Sequence, residues 1–217
     1  PSRAGADLMA ELSRAVAVAD IPVMTQAHVT DLYADTHGGV TGTRIERPDG
    51  GVEHIGCEAL ILACNGFGGN ADMVQAHIPD MADALYFGHQ GNQGDAIVWG
   101  QALGADTRHL GSYQGHGSVA QPHGILISWA LMMQGGLQIN CDGKRFSNEH
   151  QGYSEQARRV IAQPGGTVWN LFDARLLNLG HGFEDFRQAE ALGAIQTAHT
   201  IAELAKLISV PGAHLAE

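Results

Sequence analysis

Apolar positions recur at helical spacing over residues 6–19, "ADLMAELSRAVAVA", where Leu8, Leu12, Ala15, Val16 and Ala19 fall on one face. Pro22 closes that helix, and an extended run begins. The segments "VMTQAHVTDLYAD", "VTGTRIERPDG" and "GVEHIGCEALILAC" read as successive strands, and the short polar turns "THGG" and "PDGG" join them into an antiparallel meander. The last segment ends in a continuous apolar run, "ALILAC", that predicts a buried strand entering the glycine cluster "NGFGGN".

Helical signals return after the cluster. "NADMVQAHIPDM" has Asn70 as its cap and Pro79 near its end. "GDAIVWGQALGA", Gly94 to Ala105, places Ile97, Val98, Gln101 and Ala102 on one face, with Gly104 as the stop. Residues 106–125 are polar, rich in Gly and His and without clear period, so a domain boundary is placed near residue 111. Beyond it, "GGLQINCDGKRFSNE" predicts a hairpin around Asp142-Gly143, "YSEQARRVIAQ" a helix stopped by "PGG", "TVWNLFD" a buried strand and "DFRQAEALGA" another helix. "TIAELAKLI" opens with a capping box, Thr200 with Glu203. This mixed order points to an α+β domain.

Composition narrows the function classes. A chain of 217 residues, 44% hydrophobic, can bury a full core, and its longest apolar runs fall far short of the ~20 residues a membrane span needs. Twelve Lys and Arg against 23 Asp and Glu give a net charge of -11, with the cations scattered singly, which leaves no footprint for nucleic acid or an anionic membrane. The start, "PSRAGADLMA", lacks the zones of a signal peptide, and the odd set Cys57, Cys64 and Cys141 has no CxxC; both favour a reducing, cytoplasmic setting. Twelve histidines show no HxH, HxxxH or HExxH spacing, so no metal is expected. The 29 glycines are about twice the ordinary ~7% share and sit in pairs and clusters, which marks places where backbone passes close to backbone or ligand.

Gly66, Gly68 and Ala71 spell GxGxxA. A dinucleotide turn needs to open a helix inside a βαβ unit, with an acid ending a second strand ~20 residues on. Here a meander precedes the cluster, and "DMADALYFGHQGNQ" offers no apolar second strand. The residues alone leave a weak nucleotide signal beside an unliganded glycine turn.

Taken in order, "ALILACNGFGGNADM", "GDAIVWGQALGA" and "GGLQINCDGKRFSNE" resemble a flavoprotein family. That family includes soluble fumarate reductases, succinate dehydrogenase flavoprotein subunits and 3-ketosteroid dehydrogenases, with segments of the form ATGGFGGN, TGDGI and GxRFxNE. The resemblance implies an α+β (α/β) fold. Residues 1–111 would be the C-terminal part of an interrupted FAD-binding domain with its antiparallel meander, and residues 112–217 an α+β capping domain incomplete at its C-terminus. It implies that the chain is an internal fragment whose FAD contacts come from Val29, Ala63, Cys64, Asn65, Gly66, Gly94 and Asp95. Cys64-Asn65 stand where the family has Thr-Gly, and Asp95 also suits a helix N-cap.

The implied activity is that of an FAD-dependent oxidoreductase acting on a CH–CH bond next to a carbonyl or carboxylate, by hydride transfer with flavin N5. It implies a small-molecule substrate and an unidentified electron donor or acceptor, with the fragment alone inactive. The alternative is a non-catalytic binding or interaction domain derived from a flavoprotein. Fumarate reductases resemble one another in an Arg four residues after the Glu of RFxNE, relayed by a Glu and an Arg upstream. The matching positions here are Tyr153, Trp129 and Met132, which leave no guanidinium for a dicarboxylate. "NEHQGY" resembles instead the NExxPY of ketosteroid dehydrogenases, which makes Tyr153 the expected proton-transfer residue. His116, in "QGHGSV", stands where fumarate reductases carry a substrate-binding His, the alternative being a surface histidine. Glu149 would orient the Tyr loop or hold backbone. With Trp129 and Met132 it completes an expected substrate pocket, more apolar than a dicarboxylate site and suited to a bulkier or less charged substrate.

Overall fold

The computed structural model describes residues 5–215. In chain order the elements are α1 (Gly5–Val18), β1 (His28–Ala34), β2 (Val40–Glu46), β3 (Val52–Gly56), α2 (Ala71–His77), α3 (Asp95–Ala102), β4 (Val119–Ala120), β5 (Ile125–Leu126) and α4 (Ala130–Met133). There follow β6 (Leu137–Ile139), α5 (Tyr153–Ile161), β7 (Trp169–Leu171), α6 (Ala174–Gly180), α7 (Glu184–Ala191), α8 (Ile201–Leu207) and α9 (Gly212–Leu215). They form two compact units. Among the described residues, the first holds those up to Gly66 together with Asp95–Asp106, and the second holds Phe67–Gly94 together with those from Thr107 onward.

In the first unit the meander forms as its turns dictate. Asp35 accepts from the amides of His37 and Gly39, and Asp49 from that of Gly51, so each polar turn is closed by an Asp side chain. The sheet order is β1-β2-β3, antiparallel throughout, with a bulge between Val29 and Asp31. Only the central strand buries side chains, Thr43 and Ile45. The expected buried strand "ALILAC" does not form: β3 stops at Gly56 and residues 57–66 follow an irregular path, with Ile61 89% exposed. A strand needs a neighbour for its backbone groups and cover for its side chains, and among the described residues this run has neither. Cys57 and Cys64, read as strand residues, are half-buried free thiols outside any strand.

The second unit is built from short elements around two apolar clusters. One joins Ile127, Trp129, Leu131, Met132, Phe186 and Ala189; the other joins Ile139, Ala205, Ile208 and Val210. Three of its helices start on side-chain caps: Asn70 accepts from the Met73 amide, Asp173 from Leu176 and Thr200 from Glu203. The return arm of the Thr200 box reaches the amide of His199.

The hairpin expected at Asp142-Gly143 contracts to a tight turn with a single bridge, Ile139 to Arg145, and β6 takes β7 as its ladder partner instead. The reason lies in a set of buried amides. Gln138 on β6 is fully buried, donates from Nε2 to the Gly117 carbonyl (2.7 Å) and to Asn170 Oδ1 on β7 (2.8 Å), and accepts at Oε1 from Gln156 Nε2 on α5 (2.8 Å). Asn170 Nδ2 continues to Ser118 Oγ, and Gln156 Nε2 to Ser147 Oγ, both at 2.5 Å. Every partner in this set needs the others, because a buried amide left unpaired costs about 1–3 kcal/mol. Gln138→Leu is therefore expected to lower the stability of this unit by at least about 2 kcal/mol in denaturant unfolding, since it takes the donor from the Gly117 carbonyl and from Asn170 Oδ1 and leaves Gln156 Nε2 with Ser147 alone.

Candidate active site

The polar segment Gln114–Ser118 is pressed against the start of α5. The Gly115 amide donates to Ser154 Oγ (3.0 Å) and the Gly117 amide to the Tyr153 carbonyl (3.1 Å). A Cβ on Gly115 would lie 2.6 Å from that of Ala157, and one on Gly117 2.9 Å from Gln156 Cγ. Glycine on both sides of His116 is thus what lets the segment come so close.

That approach sets the His116 imidazole against two aromatic rings. It stacks on Tyr153, with centroids 5.3 Å apart and planes at 29°, and meets Trp129 edge-on at 6.1 Å. Gln114 Nε2 donates to Tyr153 Oη at 2.6 Å, which occupies an acceptor site on the phenol and leaves its own proton free for another partner. These residues, with Leu126 and Phe183, line a cavity of about 430 Å³. Its size is that of a small-molecule site.

Burial pushes the His116 imidazole below its ordinary range, so the ring is neutral near pH 7. Nδ1 accepts from the Ser118 amide at 3.2 Å, so the proton of the neutral ring sits on Nε2. Trp129 is 6% exposed, and its indole N–H has no partner among the described residues.

Two residues expected in the pocket lie outside its wall. Met132, 1% exposed, packs in the core beside Leu131, because its short helix turns this face inward. Glu149, also 1% exposed, accepts from the Gln138 amide (2.9 Å) and from the forked guanidinium of Arg145, the shortest contact being 2.5 Å. Burial alone would raise this carboxyl; the Arg145 pairing and the Gln138 amide outweigh it and hold it below the usual carboxylate range. Glu149 is thus a fixed acceptor that ties β6 to the turn leading into Tyr153. Sequence reasoning passed over Gln114, Ser128, Phe183 and Asp185, which also line the cavity. Gln114 sits in the same motif as His116, whereas Phe183 and Asp185 arrive from the start of α7 with no local signal.

In the first unit, Val29 is half-buried on β1 beside the bulge, and Asp95 opens α3 as an acid in its first turn. No side-chain cap comes from Asp95, which is itself the first helical residue. The backbone amides of Ala63, Cys64, Asn65 and Gly66 take no hydrogen bond among the described residues. Asn65 has φ +66°, the left-handed conformation that Asn tolerates best after Gly. An open stretch of unpaired amides fits a flat, polar cofactor edge. Gly94 belongs to the second unit, where φ +88° and the close approach of Met73 and Phe67 require glycine.

The family described as FAD binding domain matches residues 1–213. A probable fumarate reductase of Shewanella frigidimarina (strain NCIMB 400) is 25% identical over 213 residues, 98% of this chain and 36% of that protein. The open conformation of a flavocytochrome c3 fumarate reductase superposes with a TM-score of 0.79 at 25% identity, covering 100% of this chain and 38% of the other. The fold is also that of 3-ketosteroid delta1-dehydrogenase from Sterolibacterium denitrificans, solved with 1,4-androstadiene-3,17-dione: TM-score 0.72, 22% identity, 94% and 40% covered. The chain spans little more than a third of the length of these proteins.

The His116 environment gives a pH prediction. Its folded pKa lies below the unfolded value of about 6.5, so the unfolded chain binds the proton more readily, and stability should fall as pH drops through 6.5 and level off below the folded pKa. An NMR titration should place the His116 midpoint below those of exposed histidines, and His116→Gln should remove that part of the acid sensitivity.

Proposed function

Since the chain belongs to the FAD binding domain family, we propose that it is the cofactor-contacting and substrate-facing part of an FAD-dependent oxidoreductase acting on a CH–CH bond next to a carbonyl or carboxylate. FAD is the cofactor, and when bound it supplies hydride exchange at its N5. In the first unit, Val29, the open amides of Ala63, Cys64, Asn65 and Gly66, and the Asp95 carboxylate would hold it. Backbone donors suit this role because they bind without having to move.

In the second unit, Tyr153 handles the proton that accompanies hydride transfer. Reduction of the C=C bond places hydride on one carbon and the Tyr153 proton on the carbon next to the carbonyl; oxidation reverses both transfers. The observation that carries this reading is the Tyr153 hydroxyl at a cavity wall, held as an acceptor by Gln114 and stacked on the neutral His116. His116 offers Nε2–H to a substrate oxygen, and the apolar surfaces of Leu126, Trp129 and Phe183 shield the reacting carbons from water. Turnover then requires a separate electron donor or acceptor to return the cofactor to its starting state.

The test uses the full-length protein that carries this chain. Its purified form should show the absorption bands of bound flavin, and their absence after reconstitution with FAD refutes the cofactor reading. Tyr153→Phe should keep the flavin and lower kcat by about 10²–10⁴. Turnover within a few-fold of the parent would remove Tyr153 from the mechanism.

A further inference from the structure

The wall of the His116–Tyr153 cavity has an unusual charge balance for a site compared with fumarate reductases. None of the nine residues that line it is Arg or Lys, and one, the exposed Asp185, is a carboxylate. Four guanidiniums of this unit are engaged elsewhere: Arg145 with Glu149, Arg158 with Asp80, Arg175 with the Gln134 carbonyl and Arg187 with Glu184. The donor groups that line the cavity are uncharged, the Tyr153 and Ser128 hydroxyls, the Gln114 amide and the His116 ring N–H, beside the apolar surfaces of Leu126, Trp129 and Phe183. Such donors satisfy a ketone oxygen fully, but they leave a carboxylate without the counter-charge that its desolvation demands.

We infer that this cavity takes an uncharged, carbonyl-bearing apolar molecule, and that Asp185 is its specificity-determining residue, repelling anionic ligands from the rim. The inference rests on the reading of the cavity as the substrate site and adds to it the charge class of the substrate. Asp185 lies in the first turn of α7, beside Phe186, whose ring is fully buried in the core, so its backbone position is anchored. A repulsive group of this kind sets specificity by penalising the wrong ligand rather than by tightening the right one.

Binding to the oxidised full-length protein, followed by titration calorimetry, tests this with two probes: fumarate as the dianion and 1,4-androstadiene-3,17-dione as the uncharged diketone. The diketone should bind the parent and Asp185→Asn alike. Fumarate should bind the parent more weakly and gain at least about fivefold in affinity in Asp185→Asn, the effect of removing one unit charge at short range in a hydrated site, with a larger gain in Asp185→Lys. Glu184→Gln, which removes the adjacent charge outside the cavity wall, should leave fumarate binding unchanged. Equal fumarate affinity in the parent and both Asp185 variants, with thermal unfolding showing all three folded, overturns the inference, as does failure of both probes to bind. Loss of the flavin bands, or full turnover in Tyr153→Phe, counts instead against the reaction proposed above, because neither alters the charge dependence of binding.

Discussion

The side-chain amide of Gln138 has no contact with water and makes three hydrogen bonds, to the Gly117 carbonyl, to Asn170 and from Gln156. Those partners lie on three separate stretches of chain: the His116 segment, β7 and α5. An apolar residue at position 138 could fill the same volume, but it could not specify which carbonyl and which amide must come to it. The backbone amide of Gln138 also meets the buried Glu149, so one residue fixes both the sheet pairing and the turn that leads to Tyr153. The local geometry of the candidate site follows from this node.

Close approach is the second constraint. Gly115 and Gly117 allow the His116 segment to lie on α5 with no side chain between, and this contact brings the imidazole over the Tyr153 ring. The pairing has chemical consequences that neither residue has alone. His116 is kept neutral by burial, with its proton on Nε2, and Tyr153 is held by Gln114 so that its hydroxyl proton is free. A wall of uncharged donors and apolar surface, with one carboxylate and no cation among its lining residues, is what supports the proposal of a ketone over a dianion.

Much of this was legible along the chain. Turn residues gave the meander, Asn70 and Thr200 marked helix starts, and Pro79 and Gly104 lie just past helix ends. The three ordered motifs identified the family. The "ALILAC" segment was misread because a strand is not a property of its own residues alone: it needs a neighbour, and this run has none among the described residues. The hairpin at Asp142-Gly143 was overextended for a related reason, since the ladder of β6 goes to β7, some thirty residues on. Met132 was assigned to the pocket from the resemblance, as the position of a relay residue, yet its side chain is 1% exposed and packs in the core cluster with Leu131.

By itself, then, the sequence determined the elements whose causes are local, namely turns, caps and helical faces, together with the candidate site residues, His116, Tyr153 and the open glycine-rich segment. Only the tertiary structure decided which of those residues meet. Hydrogen bonds of the Gln138 network join positions as far apart as Ser118 and Asn170, and Asp185 reaches the cavity wall from a helix that starts thirty residues after Tyr153. Periodicity carries no information about such pairings, because their free energy comes from burying matched polar groups across segments that share no local pattern.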